Sequence, residues 1–146
     1  MDLVILKYEN DDKVLNYIHK NTFTEHSKYA ISIIDELLKQ SNIKPNEVNH
    51  IMVVNGPGSF TGVRIGVTIA KTLAWSLNKP ISTISSLEYL ATTSCDSKYI
   101  IPMIDARRGF VFSGVYDKEL NVILKDDYYN FSDLDGYFND GTIVSF

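Results

Sequence analysis

Residues 50–77 constrain the fold more than any other stretch, because an apolar run is followed by a glycine-rich turn and then by a long apolar helical pattern. Residues 50–55 form a short apolar run that is rich in β-branched side chains, which is typical of a strand buried on both faces of a sheet. The Gly-Pro-Gly sequence at 56–58 ends that strand. Ser59 or Thr61 can cap the helix predicted over residues 61–77, and the N–H groups at such a helix start favour anions.

The spacing of this turn fits none of three glycine motifs to which it can be compared. Val63 stands where a Walker loop places its phosphate-binding lysine. Gly56, Gly58 and Gly62 give G-x-G-x-x-x-G, one residue longer than the dinucleotide motif. Ser59 lies one position early for a serine nucleophile elbow. The turn is therefore either purely structural or also a contact for a phosphate or for a ligand of a partner.

A second candidate contact lies where a predicted strand ends at Asp105. An acidic residue at this position faces the crevice in which α/β sheets bind ligands. The alternative is that Asp105 and a following arginine only fix a hairpin turn, and the sequence favours neither. The candidate anion or ligand contacts in the chain are Gly56, Gly58, Ser59, Thr61, Arg64, Asp105 and Arg107.

Hydrophobic periodicity along the rest of the chain predicts an α/β order of elements. The predicted strands are residues 3–8, 13–19, 50–55, 80–84, 99–105 and 110–116, with another beginning at 142–146. The predicted helices are residues 26–41, 61–77 and 87–93, the last capped by Ser85 or Ser86. The stretch from Lys118 on is polar and aromatic. Within it, Asp133, Asp135, Asp140 and the tyrosines from Tyr128 are predicted to form a solvated, loop-rich surface, and no function is assigned to them.

Two helices carry more apolar surface than one sheet needs. Small residues repeat at four-residue spacing from Gly62 to Ala74, which allows another helix to approach closely. Trp75 falls on the polar side of that helix, where a large aromatic side chain is a candidate interface anchor. The alternative, that both helices are buried within one domain, stays open. The candidate partner-interface residues are Tyr29, Ile33, Leu37, Gly62, Val63, Gly66, Val67, Ala70, Ala74 and Trp75.

Composition predicts one globular core and excludes several classes of site. The chain has 146 residues, of which 45% are hydrophobic, and its net charge of −4 argues against a large phosphate-binding face. Its single cysteine, Cys95, forms no internal disulfide framework. The histidines lack the spacing of a zinc site, and neither a catalytic nor a metal-binding residue is predicted. No secretory signal or membrane span is visible, so a cytoplasmic location is expected.

The stretch from 56 to 91 closely resembles the TsaB (YeaZ) family. Residues 24–27 before a helix and residues 104–109 after a strand are also similar to that family, so the resemblance covers roughly 24–116. It implies an α/β protein of the actin-like ATPase, ribonuclease H-like architecture, with a mixed sheet flanked by helices. It further implies a noncatalytic scaffold that activates a TsaD-like transferase in threonylcarbamoyladenosine modification of tRNA, together with a TsaE-like ATPase.

Under this resemblance the chain needs no cofactor of its own, because ATP and metal are expected on the partner proteins. A homodimer is also possible, and tRNA is expected to be reached only indirectly. Residues 1–96 correspond to an N-terminal lobe that lacks the family's first strand, and residues 97–146 to the beginning of a truncated second lobe. The alternatives are an autonomous ATPase or glycoprotease-like peptidase of the same superfamily, or a homodimeric regulatory protein.

Overall fold

The computed structural model describes residues 2–9, 13–21, 26–93 and 96–145, and side chains from Tyr29 onwards within those ranges. The strands are β1 (Asp2–Glu9), β2 (Lys13–Asn21), β3 (Ile51–Val54), β4 (Ile81–Ile84), β5 (Tyr99–Asp105), β6 (Phe110–Asp117), β7 (Val122–Asn130) and β8 (Gly141–Ser145). The α-helices are α1 (His26–Gln40), α2 (Phe60–Leu77), α3 (Ser86–Ala91) and α4 (Asp135–Phe138). Short 3-10 helices occupy Pro45–Glu47 and Phe131–Leu134.

The chain divides into two compact units. The first contains the residues up to Val53 together with Arg64–Ser82, and the second contains Val54–Val63 together with the residues from Thr83 onwards. The predicted division at residues 96 and 97 into two lobes of a larger architecture stays a prediction.

The first unit is built on an antiparallel hairpin and a helix. β1 pairs with β2 from Asp2 opposite Asn21 to Glu9 opposite Lys13. α1 contacts both strands and buries Ala30, Ile33 and Leu37, whose three- and four-residue spacing places them on one helix face. The predicted hairpin and helix are confirmed, while the turn residues 10–12 lie outside the described part.

Both long helices end in the same way, with an asparagine in the left-handed region of backbone space. Asn42 after α1 has φ 54° and Asn78 after α2 has φ 51°. Beyond Asn78, the Lys79 N–H donates to Ala74 O at 2.9 Å, the long bond that closes a Schellman motif. Asparagine serves here because it tolerates positive φ better than other non-glycine residues do.

β3 and β4 form a two-stranded sheet joined by α2. The Ile51 N–H donates to Pro80 O at 3.0 Å, and the Asn55 N–H donates to Ile84 O at 3.0 Å. The pairing advances in the same direction along both strands, so the strands are parallel and α2 is the crossover helix that a parallel pair requires.

The second unit is a four-stranded mixed sheet in the order β7-β6-β5-β8. β5 is antiparallel to β6 and parallel to β8, and β6 is antiparallel to β7. One buried cluster joins Ile101, Met103 and Val115 to Leu134, which follows β7 in the chain. A second cluster joins Ile100 and Tyr116 to Ala91 of α3. Successive residues of β5 therefore pack alternately into the first and the second buried cluster.

The structure confirms the predicted α/β class with a mixed sheet. The strand predicted at 142–146 is present as β8, and Asp133, Asp135 and Asp140 are exposed as predicted. The loop-rich surface predicted for the tyrosines from Tyr128 is wrong. β7 is a strand of nine residues, and Leu134 is fully buried. Tyr129 and Tyr137 pack against the core cluster rather than lying in a solvated loop. β7 forms because it pairs with the long strand β6, and this pairing overrides the low strand propensity of Lys125 and the aspartates that follow it.

In the residues that the structure describes, no helix is both long enough and apolar enough to cross a membrane.

Candidate functional site

The glycine turn 56–59 is held by short contacts within the second unit. Gly56 has φ +100°, a conformation that side-chain-bearing residues rarely adopt. Its carbonyl accepts the Ser86 N–H at 2.9 Å, which ties the turn to the start of α3. A Cβ placed on Gly58 would lie 3.6 Å from Val63 Cγ2, so the first turn of α2 packs closely over the glycines.

Ser59 is the residue that caps α2. Its carbonyl accepts the Val63 N–H at 2.9 Å, the first bond of the helix, and its hydroxyl accepts the Gly62 N–H at 3.4 Å. This confirms one of the two caps that the sequence allowed, and Thr61 lies inside the helix with its side chain exposed. Arg64 is also exposed, one turn further along α2. The turn thus presents a helix start, which is a generic anion contact. Contact of this turn or of Arg64 with an anion stays a prediction.

The second candidate contact is a tight turn between β5 and β6. Asp105 Oδ1 accepts the Arg107 N–H at 2.8 Å, and the Phe110 N–H donates to Arg107 O at 3.1 Å. Arg107, Arg108 and Gly109 have φ 68°, 57° and 81°. The carboxylate of Asp105 therefore stabilises a hairpin turn, while the side chains of both arginines are exposed. Contact with an anion at this turn stays a prediction.

The candidate interface residues fall into two groups by exposure. Ile33, Leu37, Ala70 and Ala74 are buried within the chain, at 8% exposure or less. Gly62, Val63, Gly66 and Val67 are half-buried. Tyr29 is 47% exposed and Trp75 is 85% exposed. A partner can reach the last two side chains directly, whereas it cannot reach the buried group without a change in this chain.

Sequence reasoning missed Asp126, which lies on β7. The Ser85 hydroxyl donates to Asp126 Oδ2 at 2.5 Å, and the Tyr116 hydroxyl donates to Asp126 Oδ1 at 2.5 Å. Burial raises the pKa of the Tyr116 phenol far above its ordinary value, and the hydrogen bond to Asp126 raises it further. The one available sequence signal was Gly114, since an isolated glycine within a strand indicates a close approach by another group.

Within the described ranges, no group of three or more His, Cys, Asp or Glu residues lies close enough to hold a metal ion. Cys95 and the side chains of His19 and His26 lie outside what the structure describes. His50 is exposed, and its Nε2 lies 2.8 Å from Ser82 Oγ. The chemistry that the structure displays is therefore that of hydrogen-bonded turns and exposed aromatic side chains.

Comparison with a family model decides the relationship of this chain. The model for TsaD, described as tRNA N6-adenosine threonylcarbamoyltransferase, matches residues 18–144. The chain belongs to this family. Its fold is accordingly the actin-like ATPase type that the resemblance implied.

Curated relatives that match most of this chain carry the name TsaB, so the predicted resemblance is confirmed. The tRNA threonylcarbamoyladenosine biosynthesis protein TsaB of Bacillus subtilis is 47% identical over 116 residues, which cover 79% of this chain and 46% of the relative. TsaB of Haemophilus influenzae is 34% identical over 112 residues, covering 75% of this chain and 46% of the relative. The chain spans about half the length of the curated relatives it matches.

A solved structure has the same fold. YeaZ from Pseudomonas aeruginosa superposes with a TM-score of 0.71 at 24% identity, covering 88% of this chain and 59% of that chain. At this identity the match supports the architecture alone.

Proposed function

We propose that this chain takes part in the biosynthesis of threonylcarbamoyladenosine in tRNA, as the noncatalytic partner that activates a TsaD-like transferase. The observation that carries the proposal is the 47% identity to a protein named TsaB over most of this chain. Relatives named tRNA N6-adenosine threonylcarbamoyltransferase also match this chain, at 34% identity over 64 residues in Chlorobaculum tepidum. A common architecture in two proteins of one pathway supports a pairing of similar domains.

The helices of the first unit supply the surface for this pairing. Trp75 on α2 and Tyr29 on α1 are exposed aromatic side chains, the residue types that most often anchor protein interfaces. Ile31 of α1 adds an apolar side chain that is 55% exposed. The small residue Gly66 is half-buried on α2 and permits a close approach of a partner's helix.

In this proposal the reaction itself is carried out elsewhere. The transferase and a TsaE-like ATPase hold the ATP and metal, and tRNA is bound through the transferase rather than by this acidic chain. The net charge of −4 supports this division, because tRNA affinity depends on cationic side chains that neutralise phosphates.

Binding to a TsaD-like transferase, measured by calorimetry, tests the proposed surface. We expect Trp75→Ala to weaken the affinity by about 1 kcal/mol or more, roughly a fivefold or larger rise in Kd. Tyr29→Asp should weaken it as well, because it places a charge in an apolar contact. The matched control is Met52→Ala, since Met52 is also exposed, at 64%, but lies on β3 rather than on either helix.

Four results would contradict the proposal. Absence of binding by the unaltered chain would remove the partnership, and self-association at the same surface would favour a homodimer instead. ATP hydrolysis or peptide cleavage by the purified chain, abolished by Ser59→Ala or Asp105→Asn, would show an autonomous enzyme. Unchanged binding by both helix variants would place the interface elsewhere.

A further inference from the structure

Two hydroxyl groups in the second unit converge on the Asp126 carboxylate. The hydroxyls of Ser85 and Tyr116 each donate to a different oxygen of that carboxylate, at 2.5 Å. Both acceptor oxygens are thus occupied by side chains from two other elements, the α3 cap and β6. Asp126 is half-buried, so these bonds are partly shielded from water.

β6 makes room for this carboxylate at Gly114. A Cβ on Gly114 would overlap Asp126 Oδ1, and it would lie 3.2 Å from Tyr116 Cε2 and 3.3 Å from Leu124 O. Any larger residue at 114 would therefore displace the carboxylate from its two donors. The Gly114 backbone and the side chains of Ser85 and Tyr116 thus surround the two Asp126 carboxylate oxygens, whereas an incidental surface hydrogen bond would need only one donor.

From Asp126 the hydrogen bonds continue to the glycine turn. Ser85 is the N-cap of α3, and its hydroxyl accepts the Leu87 N–H at 3.1 Å while it donates to Asp126. The next residue, Ser86, is buried and donates its N–H to Gly56 O at 2.9 Å. Fixing the Ser85 side chain therefore fixes the backbone that holds the Gly56 carbonyl.

The geometry points to Asp126 as a positioning residue that acts through Ser85 to hold the glycine turn 56–59 in the conformation shown here. The turn carries the cap of α2 and the candidate anion contact, so its conformation matters for activation of the transferase. The link from the turn to activation, which is the second step of this inference, rests on the proposed function. The first step, that Asp126 holds the turn, does not.

Amide hydrogen exchange of the intact chain, followed by NMR, tests the hold directly. In Asp126→Asn, one oxygen becomes an NH₂ group that cannot accept either hydroxyl proton, so one of the two bonds must break or reverse. We expect the protection of the Ser86 and Leu87 amides to fall about tenfold, the change that loss of one such hydrogen bond produces. Protection in the β5–β6 ladder, at Met103 and Ser113, should not change.

Matched variants separate positioning from general destabilisation. Asp127→Asn removes the same charge one residue further along β7, where the side chain is exposed, and it should leave both amides unchanged. Ser85→Ala should reproduce the effect of Asp126→Asn, and Ser85→Thr, which keeps the hydroxyl, should restore protection. If Asp126 acts through Ser85, the double variant exchanges no faster than either single variant.

Gly114→Ala gives an independent test, because it moves the carboxylate without changing its charge. It should raise exchange at Ser86 and Leu87 as Asp126→Asn does. Unchanged protection at these two amides in both variants would overturn the proposal, and so would an equal loss of protection at all amides. A separate assay of transferase activation by the same variants tests the second step. Loss of the hold with full activation would refute only that step, and failure of the unaltered chain to activate would refute the proposed function.

Discussion

Two glycines in the second unit should respond in opposite directions to the same substitution. A Cβ on Gly141 would lie 2.5 Å from Ile101 Cδ1, 2.7 Å from Tyr137 O and 3.1 Å from Ile101 Cγ1. Ile101 is fully buried and the Tyr137 oxygen belongs to the backbone, so neither neighbour can swing away. Gly141→Ala forces a shift of β8 against the core, and overpacking of this kind costs about 1 to 3 kcal/mol in the free energy of unfolding.

Gly136 is the matched control. It lies in α4, and a Cβ there would have no neighbour within 4 Å. Gly136→Ala should raise the free energy of unfolding by about 0.5 to 1 kcal/mol, because alanine favours a helix and restricts the unfolded chain. Urea denaturation followed by circular dichroism measures both, with the slope m expected to stay constant. Equal stability of Gly141→Ala and the unaltered chain would refute the packing described around Ile101.

Substitutions at three further positions test separate contacts. Ser41 Oγ is a buried oxygen that has no hydrogen-bond partner among the described residues, so Ser41→Ala should leave the melting temperature unchanged or raise it. Asn78→Ala should lower the free energy of unfolding by about 1 kcal/mol because φ is 51° there, while Asn78→Gly should not; urea denaturation measures both. The pKa of Tyr116 is raised from its ordinary 10.0, so the phenol stays protonated in the folded chain while it ionises in the unfolded chain above that pH. Its contribution is therefore complete below about pH 10 and is lost as pH rises towards the folded-state pKa. Denaturation over that range should show a steeper loss for the unaltered chain than for Tyr116→Phe, and equal slopes would contradict the assignment.

The elements around the glycine turn were predictable because their signals are local. The strand, the turn and the helix from Phe60 to Leu77 follow from apolar runs and glycine punctuation, and the Ser85 cap follows from its position before an apolar helix. The starts and ends of the three predicted helices agree with the structure to within two residues, since the Ser59 and Ser85 caps and the asparagines at 42 and 78 are local features of the chain.

β7 was not predictable in the same way, because its order comes from pairing with β6. Lys125, Asp126 and Asp127 have the composition of a solvated loop, and nothing in their order shows which of them is turned towards Ser85 and Tyr116. The burial of Ala70 and Ala74 is likewise a tertiary fact, since a small-residue ridge fits an internal contact and a partner's helix equally well. Sequence patterns indicate surfaces that need a neighbour, and the three-dimensional structure identifies the neighbour.

We propose that this chain activates a TsaD-like transferase without performing the chemistry. The most direct measurement is the initial rate at which threonylcarbamoyladenosine appears in tRNA, determined by nucleoside analysis after incubation with the transferase, the ATPase, threonylcarbamoyl-AMP and increasing amounts of this chain. The account predicts a rate that rises with the chain to a plateau and that requires more chain for Trp75→Ala than for Met52→Ala. A rate independent of the chain, in a mixture whose transferase is active with its own TsaB, would contradict the account.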